Sequence, residues 1–353
     1  MDGKSRSIAE LCNGTIKTFA SFFNPAPNSV YGSFDLARTL IKLGKDKSSA
    51  ERLSKPSPDV ILRRLHQIDM GEAVQGIKAL NEELLESLIL CENPMIAIDF
   101  KTVAYYGEEN PMLVGDSRLN GTNLGMRFAV LSIIEKGKTF TLWVRQVSPL
   151  ESKVSIVEEL LNYAQKLVDP GIILLDRGFY SVKVIKMLKS KNQSFVIAGK
   201  KTSPVKKLCE EFKHGNKDIS EGIDYTVQSS DDKAEVKLTL VEKETKNGVE
   251  IHPFVSDHSL EPEEVSNAYP WRWRIETNIR EFDKFAPFTT SQSMQLRHLY
   301  FFLAMLLYNL WIATRNGREL PRAHQFKEHL KFLLTVFTVL GEKPRPPPET
   351  ASA

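Results

Sequence analysis

Residues 172–198 read IILLDRGFYSVKVIKMLKSKNQSFVIA. Ile172 to Leu175 form a short apolar run closed by Asp176, which is the pattern of a buried strand. Tyr180 to Lys191 carry apolar residues at intervals of three and four and predict a helix. Ser194 to Gly199 return to a short apolar run, a second buried strand. Strand, helix and strand in succession predict a sheet with helices packed on it.

The stretches on either side extend this pattern. Upstream, Met95-Ile-Ala-Ile-Asp-Phe100 is another apolar run carrying an acid, here Asp99. Arg127 to Ile134 and Thr139 to Val147 are β-rich, joined by the turn Lys136-Gly137-Lys138. A helix follows from Ser152 to Leu167, and Pro170-Gly171 breaks it. The order of three strands, helix, strand, helix, strand argues an α/β class with a mixed sheet. Downstream, Ala234–Lys243 and Val249–Val255 alternate as strands do, so about 204–258 reads as a small β-rich insertion. Helices resume near Glu261 and continue to about Leu340.

Residues 1–92 read as helical, with helices predicted from Ser33 to Gly44, from Ser48, and from Pro58 onward. Arg63 and Arg64 stand side by side in the third. Three short helices with tight connections suit a helix-turn-helix DNA-binding domain, or else a plain helical cap. Residues 93–340 would then form the second domain, and 341–353, rich in Pro, a disordered tail.

Composition narrows the function classes. A chain of 353 residues, 42% hydrophobic and 26% charged, is a soluble globular protein long enough for two or three domains. The opening MDGKSRSIAELCNG lacks the apolar core of a signal peptide. The longest apolar run, Leu299 to Ala313, falls short of the roughly 20 residues that span a bilayer and contains Asn309. It reads as a buried helix, with no membrane role. Three scattered cysteines exclude a disulfide framework and a Cys-rich zinc site, and suit a reducing cytoplasm. The seven histidines do not cluster, so a bound metal would need carboxylates, which select hard ions such as Mg2+ or Mn2+.

Charge is unevenly distributed. Arg177–Gly215 hold ten Lys/Arg against two Asp/Glu, a net of +8. Asn216–Ser266 hold five against thirteen, a net of −8, and Asn267–Arg345 twelve against six, a net of +6. Two basic regions thus flank an acidic one. Basic blocks favour a polyanion partner, or serve only as solvated helix faces.

Asp99 and Asp176 each close an apolar run, where a strand end holds a carboxylate rigidly at a crevice. A third acid, Glu276, sits in Tyr269-Pro-Trp-Arg-Trp-Arg-Ile-Glu-Thr-Asn-Ile-Arg-Glu-Phe-Asp-Lys284. Tyr269, Arg272 or Trp273, Glu276, Arg280 and Lys284 recur every three or four residues and would share one helix face. An acid among Tyr, Arg and Lys suits a site where a carboxylate binds metal and the cations grip phosphate. The bland alternative is a surface helix laced by pairs such as Glu276 with Arg280. Trp271, Trp273 and Trp143 are either stacking residues for an unpaired base or core residues.

These residues resemble the DDE transposases of prokaryotic insertion sequences, in the insertion-sequence-4-like branch marked by a Tyr-x2-Arg-x3-Glu-x6-Lys signature. Asp99 in IAIDFKTV, Asp176 in IILLDRGFYS and Glu276 in YPWRWRIET match the three acids, and Tyr269 and Arg272 match the signature. RHLYFFLAMLLYNLW resembles the helix that follows, so the resemblance covers about Pro94 to Arg315. Two departures stand out. The signature Lys would fall at Asp283, with Lys284 one residue later and Arg280 as a substitute, and Pro270 must start or kink the helix.

The resemblance implies an RNase H-like catalytic domain whose Asp99, Asp176 and Glu276 bind Mg2+, with Mn2+ able to substitute. It implies double-stranded DNA as partner, both terminal repeats and target, and a homodimer in the DNA complex. Two-metal chemistry would first cleave the element's ends and then join the freed 3′-OH to target DNA. The acidic insertion is expected to be structural or protein-facing. Rival readings are an RNase H-like nuclease that does not join, a repurposed DNA-binding protein without catalysis, and a protein-interaction domain with incidental acids.

Overall fold

The structure is a computed structural model that describes residues 7–213, 218–245, 248–315 and 322–341. By compactness the chain divides into a helical unit, Met1–Ile89 with Phe282–Ala353, and an α/β unit, Leu90–Glu281. The first break of this division falls between Ile89 and Leu90. Residues beyond 281, assigned from the sequence to the second domain, cluster with the N-terminal helices instead. The reason is a shared apolar core, described below.

The helical unit opens with α1 (Ile8–Ser21), α2 (Ser33–Asp46), α3 (Pro58–His66) and α4 (Met70–Glu86). Ser7 caps α1 by accepting the Glu10 N–H, while the Glu10 carboxylate accepts the Ser7 N–H. The helix expected from Ser48 is only a three-residue 3-10 turn, Ala50–Arg52. Leu53 leaves it in an extended conformation, and Pro56 and Pro58 follow too closely for a second helix to grow. The three-helix pattern behind the helix-turn-helix reading is thus incomplete.

In the α/β unit β1 (Met95–Tyr105), β2 (Val114–Gly115), β3 (Leu124–Glu135) and β4 (Lys138–Gln146) come first. They are followed by α5 (Lys153–Leu167), β5 (Ile172–Leu175), α6 (Val182–Ser190) and β6 (Ser194–Ala198). Ser152 and Ser181 cap α5 and α6 by accepting backbone N–H groups three residues on. Gly137, at φ +84°, makes the tight turn between β3 and β4. Then come α7 (Ser203–Lys213), β7 (Ile223–Gln228), β8 (Lys233–Thr245), β9 (Gly248–Ser256), α8 (Pro262–Ala268), a 3-10 turn (Tyr269–Arg272) and α9 (Trp273–Phe282).

β3 pairs antiparallel with β1 and β4, while β5 runs parallel to both β1 and β6. Three antiparallel strands followed by two parallel ones, with helices packed on them, make a mixed α/β fold of the RNase H-like kind. The residues that pair in the middle, Ile96, Ile98, Ile173 to Leu175 and Phe195 to Ile197, are fully buried, as the apolar runs require. The region expected to be a separate β-rich insertion continues this same sheet. β9 pairs antiparallel with β6, β8 with β9, and β7 with β8. Bonding to β6 satisfies the edge that β6 would otherwise expose.

The helical unit is completed by α10 (Met294–Ala313) and α11 (Ala323–Gly341). The tail expected from 341 lies, beyond Gly341, outside the described residues. Ser293 caps α10 six residues ahead of Leu299, so the helix has 20 residues rather than the 15 counted from Leu299. It is long and apolar enough to cross a membrane by length and composition. Its side chains are instead almost all buried against α2, α3 and α4, which makes it the core of this unit. Within that core the Asn309 amide donates to Asn81 Oδ1 at 2.6 Å. Asn309→Leu is expected to cost about 1–3 kcal/mol, because the buried Asn81 oxygen loses that donor. Urea midpoints check this, and the Asn81→Leu/Asn309→Leu double variant should recover part of the loss. An unchanged midpoint in the single variant would refute it.

Candidate active site

Strand register brings the first two acids together. Ile98 of β1 faces Leu175 of β5 in parallel pairing, so Asp99 and Asp176 are the next residues on neighbouring strands. Asp176 follows the last residue of β5, as expected. Asp99 does not end its strand: β1 runs on to Tyr105, held by β3 alone, with Asp99 opposite Val130. The expected strand terminus is thus the point where β1 loses β5 as a neighbour.

The Asp176 carboxylate caps the 3-10 turn Arg177–Phe179 by accepting the Gly178 N–H at 2.8 Å. A Cβ at Gly178 would lie 2.8 Å from Asp176 Oδ1, so only glycine lets the carboxylate close down on its own turn. Phe179 is fully buried and stacks on Phe100 with ring centroids 5.0 Å apart. That contact ties the Asp176 turn to the residue after Asp99. Gly178→Ala is expected to keep the fold while displacing the Asp176 carboxylate. Any activity that depends on that acid should fall roughly tenfold to a hundredfold. A single-turnover cleavage rate measures the effect, and an unchanged rate would remove Gly178 from the site.

The third acid arrives on α9. Arg272, only 7% exposed, ends the 3-10 turn and joins the acids. Its guanidinium donates to Asp99 Oδ2 at 3.3 Å and to Glu276 Oε1 at 2.5 Å. It also lies over the rings of Tyr269 and Trp273, at 5.6 and 5.8 Å. Burial pushes the Asp99 carboxyl up to about 6, against the pull of the Phe100 N–H and Arg272, with Asp176 and Glu276 adding to the rise. Those couplings mark the three acids as one electrostatic cluster.

The other expected residues are placed unevenly. Tyr269 is buried against Phe254, with centroids 4.4 Å apart, and burial raises its phenol. Trp273 is 58% exposed beside the acids, whereas Trp143 is buried and belongs to the core. Trp271 carries Arg274 over its ring at 4.2 Å. The five residues expected on one helix face do not share it, because the α-helix begins at Trp273 and ends at Phe282. Pro270 lies in the preceding 3-10 turn and breaks the pattern. Glu276 pairs with Arg272, not with Arg280, whose Nε reaches the Glu276 backbone carbonyl at 3.4 Å. Lys284 lies beyond the helix end, in the helical unit, with its ammonium 5.9 Å over the Trp311 ring. Arg63 and Arg64 lie on α3 of the helical unit, and Arg64 bonds Gln67 at 3.2 Å.

Sequence reasoning passed over two further features. Asn278 is buried and donates to Ser132 Oγ of β3 and Thr141 Oγ1 of β4, at 3.0 and 2.8 Å, fixing α9 to the sheet two residues past Glu276. A polar residue between Ile275 and Ile279 on a half-buried helix was the available signal. A group of cations is the other: burial lowers His252, and Lys243, Lys201 and Arg177 push it down further, so these three cations stand near His252.

Residues 139–310 match the transposase DDE domain. The matched span contains Asp176 and Glu276 and begins after Asp99. No curated protein matches the chain. Among solved structures, the chain is similar to a piggyBac transposase in a synaptic complex with hairpin DNA, with a TM-score of 0.61. Identity is 14%, and the likeness covers 98% of this chain and 84% of the other. At that identity the likeness is one of fold, and it agrees with the sheet order described above.

Proposed function

We propose that the chain is a DNA transposase of a mobile element, working as a polynucleotidyl transferase and endonuclease. The observation that carries this reading is twofold: Asp99 and Asp176 follow paired residues on the neighbouring strands β1 and β5, and Arg272 bonds both Asp99 and Glu276. The DDE-domain match across two of the three acids supports it.

Carboxylates are the donors that hard divalent ions prefer. The donor chemistry therefore fits Mg2+ or Mn2+. Among the described residues, however, no group of three or more acids is drawn around one point, since Arg272 lies between Asp99 and Glu276. Asp99, Asp176 and Glu276 would hold the ions. Once bound, such ions would polarise the phosphodiester and ease deprotonation of the attacking water or 3′-OH. Arg272 and the cations near His252, Arg177, Lys201 and Lys243, would meet the phosphates, and exposed Trp273 offers a face for a base freed at a nicked or hairpin end. In the finer reading the protein belongs to the insertion-sequence-4-like branch, works in the cytoplasm as a nucleoid-associated dimer on terminal repeats, and transfers the 3′-OH to target DNA.

The test is a labelled duplex bearing the element's terminal repeat, incubated with protein and Mg2+ or Mn2+. Cleavage at the repeat boundary with strand-transfer products supports the transposase reading. Cleavage without joined products favours a nuclease. Binding with no cleavage favours a descendant that only binds DNA, a reading that Asp283 at the signature Lys position keeps alive.

A further inference from the structure

The helical unit contains a small polar cavity of about 220 Å³ at the C-terminal end of α2. Lys42, Arg52 and Lys55 line it, with the hydroxyl residues Ser48 and Ser54 and a single acid, Asp46. Asp46 is ion-paired with Lys45. None of the three lining cations has an ion pair or side-chain hydrogen bond among the described residues. Three unneutralised cations facing one hollow repel each other, and such an arrangement is stabilised by an anion between them.

The walls are fixed before any ligand arrives. Lys47 adopts a left-handed φ of 49°, and the N–H groups of Lys47 and Ser48 cap the last turn of α2 on Gly44 and Leu43. The 3-10 turn closes through bonds from Arg52 to Ser49 and from Leu53 to Ala50, and Ser48 accepts the Phe288 N–H at 3.1 Å. A helix C-terminus by itself disfavours an anion, but the Leu43 and Gly44 carbonyls are capped here, and three full charges outweigh a partial one. The volume is too small for a drug-sized or cofactor-sized ligand and suits one tetrahedral oxyanion with a few waters. Arg52 supplies a planar fork, the two lysines supply point charges, and the serines supply hydroxyl donors.

We propose that this cavity is a phosphate seat, separate from the carboxylate cluster. It takes a phosphoryl group presented by a DNA backbone or by a free phosphate ion. The DNA source rests on the transposase reading; the phosphate chemistry does not. The test compares the wild type with the K42Q/R52Q/K55Q triple variant, which keeps the side-chain stems of three exposed residues. Inorganic phosphate binding is titrated by calorimetry, and duplex binding by anisotropy at several salt concentrations, with thermal melting as the control for folding. If the source is DNA, the variant should bind duplex roughly tenfold more weakly, with a salt slope lower by about 0.9, one phosphate contact. If the source is the free ion, the variant should lose phosphate binding with duplex affinity unchanged. Equal phosphate and duplex binding in a folded variant would overturn the proposal. Loss of phosphate binding in a protein that never cleaves DNA would leave the seat standing and sink the transposase reading alone.

Discussion

Replacing Asp176 by Asn should lower end cleavage by at least about a thousandfold and leave duplex binding and the fold intact. The Asn side-chain oxygen can still accept the Gly178 N–H, so the cap on the 3-10 turn survives. Only the charge is lost, and the charge is what a divalent ion would need. Asp99→Asn should act in the same way. Because burial already disfavours the Asp99 anion, that variant should be no less stable than the parent. Glu276→Gln keeps the size of the side chain but gives up the charge-assisted bond from Arg272. Product strands from a labelled duplex report cleavage, and anisotropy reports binding. A rate within tenfold of wild type in Asp176→Asn would remove that acid from the chemistry.

The second large effect is structural. Arg272→Ala removes a cation that bonds both Asp99 and Glu276, and it uncovers Tyr269. A buried charge pair stripped of one partner typically costs about 3 kcal/mol or more, because the remaining charge stays desolvated. In buffer containing a chelator the variant should therefore unfold at clearly lower urea. Millimolar Mg2+ should restore part of that loss, since a divalent ion offsets the same negative charge. Arg272→Lys keeps a cation but loses the planar fork that reaches two carboxylates at once, so it should fall between the two. Equal losses with and without Mg2+ would mean that the cluster does not take up the ion.

Much of the α/β unit was legible because its strands announce themselves. Ile172 to Leu175 and Phe195 to Ile197 are unbroken apolar runs, and a run buried on both faces can belong only inside a sheet. The acids were legible for the same reason, as charges attached to apolar runs. Tertiary effects were hidden. Nothing in Phe100-Lys-Thr-Val-Ala-Tyr105 tells that β1 continues past Asp99, because those residues are held by β3, whose paired residues lie 19 to 29 positions away. The helix around Glu276 was misjudged because periodicity was counted straight through Pro270, where a 3-10 turn resets the phase. The acidic stretch looked like a separate module because sequence alternation shows strands but not their neighbours, and the bond from β9 to β6 is a long-range event.

The helical unit is assembled from both ends of the chain, with the whole α/β unit between them in sequence. That order has a consequence for synthesis. As the protein leaves the ribosome, α1 to α4 emerge first, but the faces of α2 and α4 that α10 covers have nothing to pack against. Translation of Leu90–Glu281 takes on the order of 10–40 s at ordinary rates of synthesis. During that interval the nascent amino-terminal helices expose apolar surface, whereas the α/β unit, continuous in sequence, can close as soon as it is made. An amino-terminal fragment ending near Ile89 should consequently aggregate when expressed alone, and the segment Leu90–Glu281 should be the piece that folds by itself.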